Sequence, residues 1–282
     1  PQTIIPDQEE KIEAKPDTDN QPNQQPEKVE KVEVKANASQ NQNQPQKKRK
    51  HNIKNIPQDE ILEQLPSKEI NQVISSSENI EKISLKNFVE FLTKKSDNNK
   101  FNSFANAYTV YKWMCTKIGY DLEGQRNGTA SCSPEEAYLK GKTLVAGYSN
   151  LYKAIVEQMG IETTIVNGYA KGEKYKVGDK LINPNHSWVT IKIDGVKYFV
   201  DTLWGAGSVM GDKWVREFTD YYFCPKPEEF ITTHFPEVKE GENISELTLL
   251  PEKNEICNNL KEYEELTLIK SYFYIYHCEE IK

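Results

Sequence analysis

His186 and Asp201 are the residues whose types and spacing promise chemistry. They stand toward the open end of two alternating runs, 187–193 and 196–202, joined by Asp194-Gly195, the pair preferred in a two-residue type I′ hairpin turn. That turn pairs Ile193 with Val196, sets Trp188 opposite Asp201, and leaves His186 diagonally across from the carboxylate. Period-two alternation puts all three on one face, and diagonal neighbours lie roughly 7–8 Å apart, a gap that long side chains close. A carboxylate beside an imidazole fixes the tautomer of a general base and steadies the imidazolium formed when the base takes a proton. The third member should be a nucleophile. A thiol at a helix N-terminus suits the task, because the dipole and a neighbouring His both stabilise thiolate. The helix predicted to start near Val145 stands where that thiol would be expected.

Several elements must position this constellation. The opposite hairpin face, Ser187, Val189, Ile191 and Ile193 against Val196, Tyr198, Val200 and Thr202, reads as buried. Along the helix from Val145, Tyr148, Leu151 or Tyr152, Ile155 and Met159 make one apolar face; Gly147 keeps the first turn slender and Gly160 stops it. A short helix from Pro134 to near Gly141 precedes it, with Ser133 as N-cap and Glu135 and Glu136 in the first turn. Phe104, Tyr108, Tyr111 or Lys112, and Cys115 recur at helical spacing between Phe101 and Ile118. Upstream, apolar residues from Ile61 to Leu92 suggest amphipathic helical pieces, broken at Pro66 and again at Ser75-Ser76-Ser77. Thr163 to Ala170 changes period from helix to strand.

Blocks of residues along this stretch carry a resemblance. Gly141-Lys142-Thr143-Leu144-Val145-Ala146-Gly147-Tyr148, Asn167-Gly168-Tyr169-Ala170, Asn185-His186-Ser187-Trp188 and Asp201-Thr202-Leu203-Trp204-Gly205 look like successive motifs of the transglutaminase-like superfamily. The likeness is greatest to its kyphoscoliosis-peptidase branch, and Tyr222-Phe223 and Thr233-His234-Phe235-Pro236 extend it downstream. It implies an α+β, papain-like fold, with helices packed on an antiparallel sheet. In that family the helix opens with Cys-x-Gly-Tyr, so aligning Gly147-Tyr148 puts the nucleophilic Cys on Val145. Valine fills nearly the same space but offers neither a lone pair nor a proton to His186. Val189 and Leu203 are smaller departures from the family's pattern.

The resemblance thus implies a vestigial site of Val145, His186 and Asp201 in a catalytically inactive, protein-binding or scaffolding domain. The branch's association with cytoskeletal structures implies a cytoskeletal or ciliary setting. The alternative is a working cysteine peptidase or protein-glutamine transferase with another nucleophile. Cys132 precedes the wrong helix for that role, and Ser149 lies one turn too far along. Tyr148, Trp188 and Trp204 are candidates for lining a groove, with packing as the plainer account of the tryptophans. His234, His277 and Cys278 show no metal-ligand spacing, and no cofactor is expected.

Composition sets the frame. Of 282 residues, 1–57 are dominated by Gln, Asn, Lys, Glu and Pro and cannot bury enough apolar surface to offset chain entropy, which predicts a disordered leader. The expected plan continues with a helical lead-in over 58–87, the transglutaminase-like domain over 88–236, and over 237–282 the cut-short start of a strand-rich region. A net charge of −7 argues against general nucleic-acid binding. Lys47-Lys48-Arg49-Lys50 is a local exception, read as an import signal, an anionic-surface contact or plain solvated charge. No stretch reaches the roughly 20 apolar residues that span a bilayer. The 5 cysteines are scattered without framework or zinc spacing, which predicts reduced thiols and an intracellular, cytoplasmic chain.

Overall fold

Helices α1 (Gln58–Glu63), α2 (Ser67–Glu78) and α3 (Leu85–Ser96) come first in the computed structural model, which describes residues 55–78, 83–96, 101–172, 175–176, 181–240 and 242–250. The predicted leader to residue 54, its basic run, and residues 251–282 lie outside the described residues. Pro66 separates α1 from α2 as expected, but the serine triplet does not break α2. Ser76 and Ser77 donate their hydroxyls to the carbonyls of Gln72 and Ile74. Folding back on the helix's own carbonyls satisfies those hydroxyls without leaving the helix.

Helix α4 (Ser103–Lys117) begins at Asn102, whose Oδ1 accepts from Ala105 N at 2.9 Å. It buries Phe104, Tyr108, Tyr111, Met114 and Cys115. The chain continues through β1 (Gly119–Tyr120), α5 (Leu122–Asn127), α6 (Pro134–Lys140) and β2 (Lys142–Thr143), with β2 pairing parallel to β1. Ser133 occupies the cap position of α6, but its side chain makes no cap bond. Pro134 at the first helical position and two acids in the first turn favour the start instead.

Helix α7 (Val145–Gln158) lies against the core with Leu151, Tyr152 and Ile155 fully buried. Burial of Leu151 and of Ile155 stabilises the fold by about 1.5–3 kcal/mol each. Gly147 is required here, because a Cβ on it would come within 1.8 Å of Thr143 Oγ1 in β2. The first turn of α7 is thereby pinned beside β2.

Strands β3 (Glu162–Ala170), β4 (His186–Ile193) and β5 (Val196–Val200) then form an antiparallel sheet. Asp194 and Gly195 both take positive φ, 51° and 82°, as a type I′ turn requires, and Ile193 pairs with Val196. A separate ribbon of β6 (Gly207–Met210) and β7 (Lys213–Arg216) follows. After α8 (Pro227–Phe230), β8 (His234–Pro236) adds to the far side of β3, giving the sheet order β5-β4-β3-β8. The described residues end with the short helix α9 (Ile244–Thr248).

Both faces of the β4–β5 hairpin are buried, not one. Val189, Ile191, Ile193, Tyr198 and Val200 join the main core, as the alternation predicted. On the other face Trp188 and Phe199 are closed over by α8, whose Phe230 stacks on Phe199 at 4.5 Å between ring centroids. No described helix is long and apolar enough to cross a membrane.

Candidate functional site

Register on β3 explains how the polar residues meet. Gly168 pairs with His186 of β4 on one side, and Ala170 pairs with His234 of β8 on the other. Positions 168 and 170 are two apart and share a face, so both imidazoles stand on the same side of the sheet. Gly168 permits this crowding, since a Cβ there would lie 2.2 Å from Phe235 O and 2.7 Å from the Trp188 ring. Asn185 locks the register before His186, accepting from Ala170 N at 2.7 Å and donating to Ala170 O at 3.0 Å.

Asp201, just beyond β5, is the hub. Its Oδ2 lies 2.6 Å from His186 Nε2 and 3.0 Å from His234 Nε2. Its Oδ1 accepts from the backbone N–H of Leu203 at 2.9 Å and of Trp204 at 3.0 Å. Burial alone would raise the Asp201 pKa, but the charge and hydrogen bond of His186, with the bond from His234, hold it well below the usual carboxylate range. An ionised carboxylate only accepts, so both Nε2 atoms carry the hydrogen. Burial pulls the His234 pKa from 6.5 down to about 4, against the opposing pull of Asp201, so this ring is neutral near pH 7. Its Nδ1 faces Thr233 Oγ1 at 2.9 Å.

Aromatic rings wall in the cluster. His234 stacks on Phe230 at 4.0 Å and meets Trp204 edge-on at 4.3 Å, while Trp204 lies 5.2 Å from His186. Trp204 is fixed by the tight turn after Asp201, where Gly205 N donates to Asp201 O and a Cβ on Gly205 would strike the Tyr111 hydroxyl.

His186, Trp204 and Val145 line one open cleft of ≈ 1040 Å³, together with Tyr120, Trp214 and Tyr222. Val145 is the first residue of α7, and Leu144 at the cap position supplies no side-chain acceptor for the helix's leading N–H groups. That terminus carries partial positive charge of the kind that steadies a thiolate or an oxyanion. Burial also lowers the amine of Lys171 in this cleft to about 8 and pushes the Tyr222 hydroxyl up to about 12.

Of the three groove candidates, Trp204 lines the cleft and the other two do not. Tyr148 is buried with its hydroxyl donating to Ile118 O at 2.8 Å, and Trp188 is packed under Phe230. Both are large side chains on faces that the fold turns inward. Cys132 is partly exposed, and its carbonyl accepts from Asn150 of α7. Cys115 and Cys224 are buried, and burial pushes both thiols up. His234 is what sequence reasoning missed. It lies 33 residues from Asp201 and reaches it through the β3–β8 pairing, for which residue spacing carries no signal.

Residues 87–202 match the transglutaminase-like superfamily. They form a transglutaminase-like domain. The match spans the chain from α3 to the residue after Asp201, so it includes Val145, His186 and Asp201 but not His234. Among curated relatives, the chain is 28% identical over 169 residues to the kyphoscoliosis peptidase of Mus musculus, covering 58% of this chain and 24% of that protein. It is 29% identical over 134 residues to the kyphoscoliosis peptidase of Homo sapiens, covering 46% and 20%. To hillarin of Drosophila melanogaster it is 27% identical over 191 residues, covering 60% and 21%. The matched region thus accounts for about a fifth to a quarter of the length of these relatives. The transglutaminase-like domain has the α+β, papain-like core expected from the sequence blocks.

Proposed function

We propose that this transglutaminase-like domain is catalytically inactive and acts as a protein-binding or scaffolding module. The observation that carries the reading is Val145 at the first position of α7, in the cleft it shares with His186. The sequence resemblance implies a cysteine at that position in the family. An isopropyl side chain can neither attack a carbonyl nor exchange a proton with the imidazole. The remaining wall is open and aromatic, with Trp204, Trp214 and Tyr222 available to a protein segment. A cytoskeletal or ciliary assembly, in an intracellular setting, is the home that the sequence resemblance favours.

The competing reading is a working cysteine peptidase or protein-glutamine transferase. Among the described cysteines Cys132 gives it a foothold, since the backbone of that residue is tied to α7. Peptide hydrolysis and amine incorporation, measured on the natural protein, on His186→Ala and on Val145→Cys, separate the two. The inactive reading expects no turnover from the natural protein. Turnover by the natural protein that His186→Ala abolishes overturns it.

A further inference from the structure

We propose that His186, Asp201 and His234 form a binding site for a divalent transition-metal ion of the Zn²⁺ class. Their potential ligand atoms all lie within 4.8 Å of one another, and all three residues are buried. Two imidazoles and one carboxylate are a donor set that suits Zn²⁺ and its first-row neighbours. The inference concerns the retained polar wall of the cleft and does not depend on whether the domain is an enzyme.

The atoms behind the three donors support this assignment. Metal-bound imidazoles are held by a partner on the other ring nitrogen, and bound carboxylates are themselves hydrogen-bonded. His234 has such a partner in Thr233 Oγ1, at 2.9 Å from Nδ1, and that hydroxyl can pass its own hydrogen to Phe230 O at 3.3 Å. Asp201 spends Oδ1 on two backbone N–H groups and keeps Oδ2 for the imidazoles. Trp188 packs beside the cluster. Its ring lies 6.1 Å from His186 and 5.3 Å from His234, yet its buried Nε1 has no acceptor among the described residues.

Binding needs the three donors to re-space. The Nε2–Oδ2 separations of 2.6 and 3.0 Å are hydrogen-bond lengths. Zn²⁺ bonds of roughly 2.0–2.1 Å place tetrahedral ligand atoms about 3.3 Å apart, so each imidazole backs away from Oδ2 by about half an ångström, while the two rings, whose ligand atoms lie within 4.8 Å of each other, settle to the same spacing. No proton has to leave from neutral rings. Each Nε2 hydrogen moves to its Nδ1, where Thr233 accepts from His234 and the cleft solvates His186. The new bonds are two N–metal and one O–metal, replacing two N–H···O hydrogen bonds.

The test uses the full chain, stripped with chelator and titrated with Zn²⁺ by calorimetry and with Co²⁺ by visible absorption. The expected result is one ion per chain and tetrahedral or five-coordinate Co²⁺ bands. Both signals should be lost in His234→Gln and in His186→Gln, with far-UV circular dichroism unchanged. Thr233→Val should weaken affinity about 10–100-fold, the usual effect of removing a group that orients a ligand. No stoichiometric uptake by the natural protein overturns the proposal. So does uptake that persists undiminished in either folded glutamine variant, which would put the ion elsewhere. If His234→Gln fails to fold, the His186→Gln result decides on the same terms.

Discussion

The two walls of the cleft differ in kind. On the α7 wall the position suited to a reactive atom holds Val145, a side chain that only packs. On the sheet wall Asp201 accepts from two imidazoles and two backbone amides, a buried network with its donors satisfied. The contrast teaches that an imidazole–carboxylate pair can persist for structural reasons. A buried carboxylate holding four donors is costly to lose whether or not it ever takes part in a reaction. Position 145, at a helix start whose cap residue makes no side-chain bond, carries no such constraint.

Breaking the sheet wall should have the largest effect. Asp201→Ala leaves two imidazole N–H groups and two amide N–H groups without their acceptor, and is expected to cost about 3–5 kcal/mol in urea denaturation. A loss under about 1 kcal/mol would show that the network is not what retains the pair.

Acid should break the same wall more gently. His234 takes a proton at 6.5 when unfolded but only at about 4 when folded. Between those values the unfolded chain binds more protons, so stability falls as pH drops from about 6.5 to about 4, by on the order of 3 kcal/mol in all. Asp201, whose pKa is depressed, adds its own loss only below the usual carboxylate range. Denaturation midpoints followed across this window should slope for the natural protein and flatten for His234→Gln. Equal slopes in the two would assign the acid sensitivity to other groups.

The smallest stability effect is expected on the α7 wall. Val145→Cys replaces a half-buried aliphatic side chain by one of similar volume and should shift stability by less than about 1 kcal/mol. A larger loss would mean that Val145 holds the helix start in place as firmly as Asp201 holds the sheet.

Much of this was legible in the sequence. Asp194-Gly195 fixed the hairpin register, and with it the diagonal meeting of His186 and Asp201, because a two-residue turn leaves one pairing. Gly147 signalled a slender first turn of α7, but not that Thr143 of β2 fills the space beside it. What stayed hidden depends on contacts made over long separations. His234 enters through an edge strand pairing with β3, and α8 buries Trp188 and Phe199 on a face that alternation alone left open. Ser75-Ser76-Ser77 misled in the other direction, since serines that break a helix in isolation are satisfied here by the carbonyls behind them.

The central claim is that the cleft lacks its nucleophile at one position and could accept one there. It is tested most directly by treating the natural protein and Val145→Cys with a thiol-directed electrophilic peptide and mapping adducts by mass. The account predicts no His186-dependent adduct on the natural protein. In Val145→Cys it predicts a single rapid adduct at position 145, slowed about 100-fold or more when His186→Ala is added. A His186-dependent adduct on the natural protein, at Cys132 or any other residue, would contradict it.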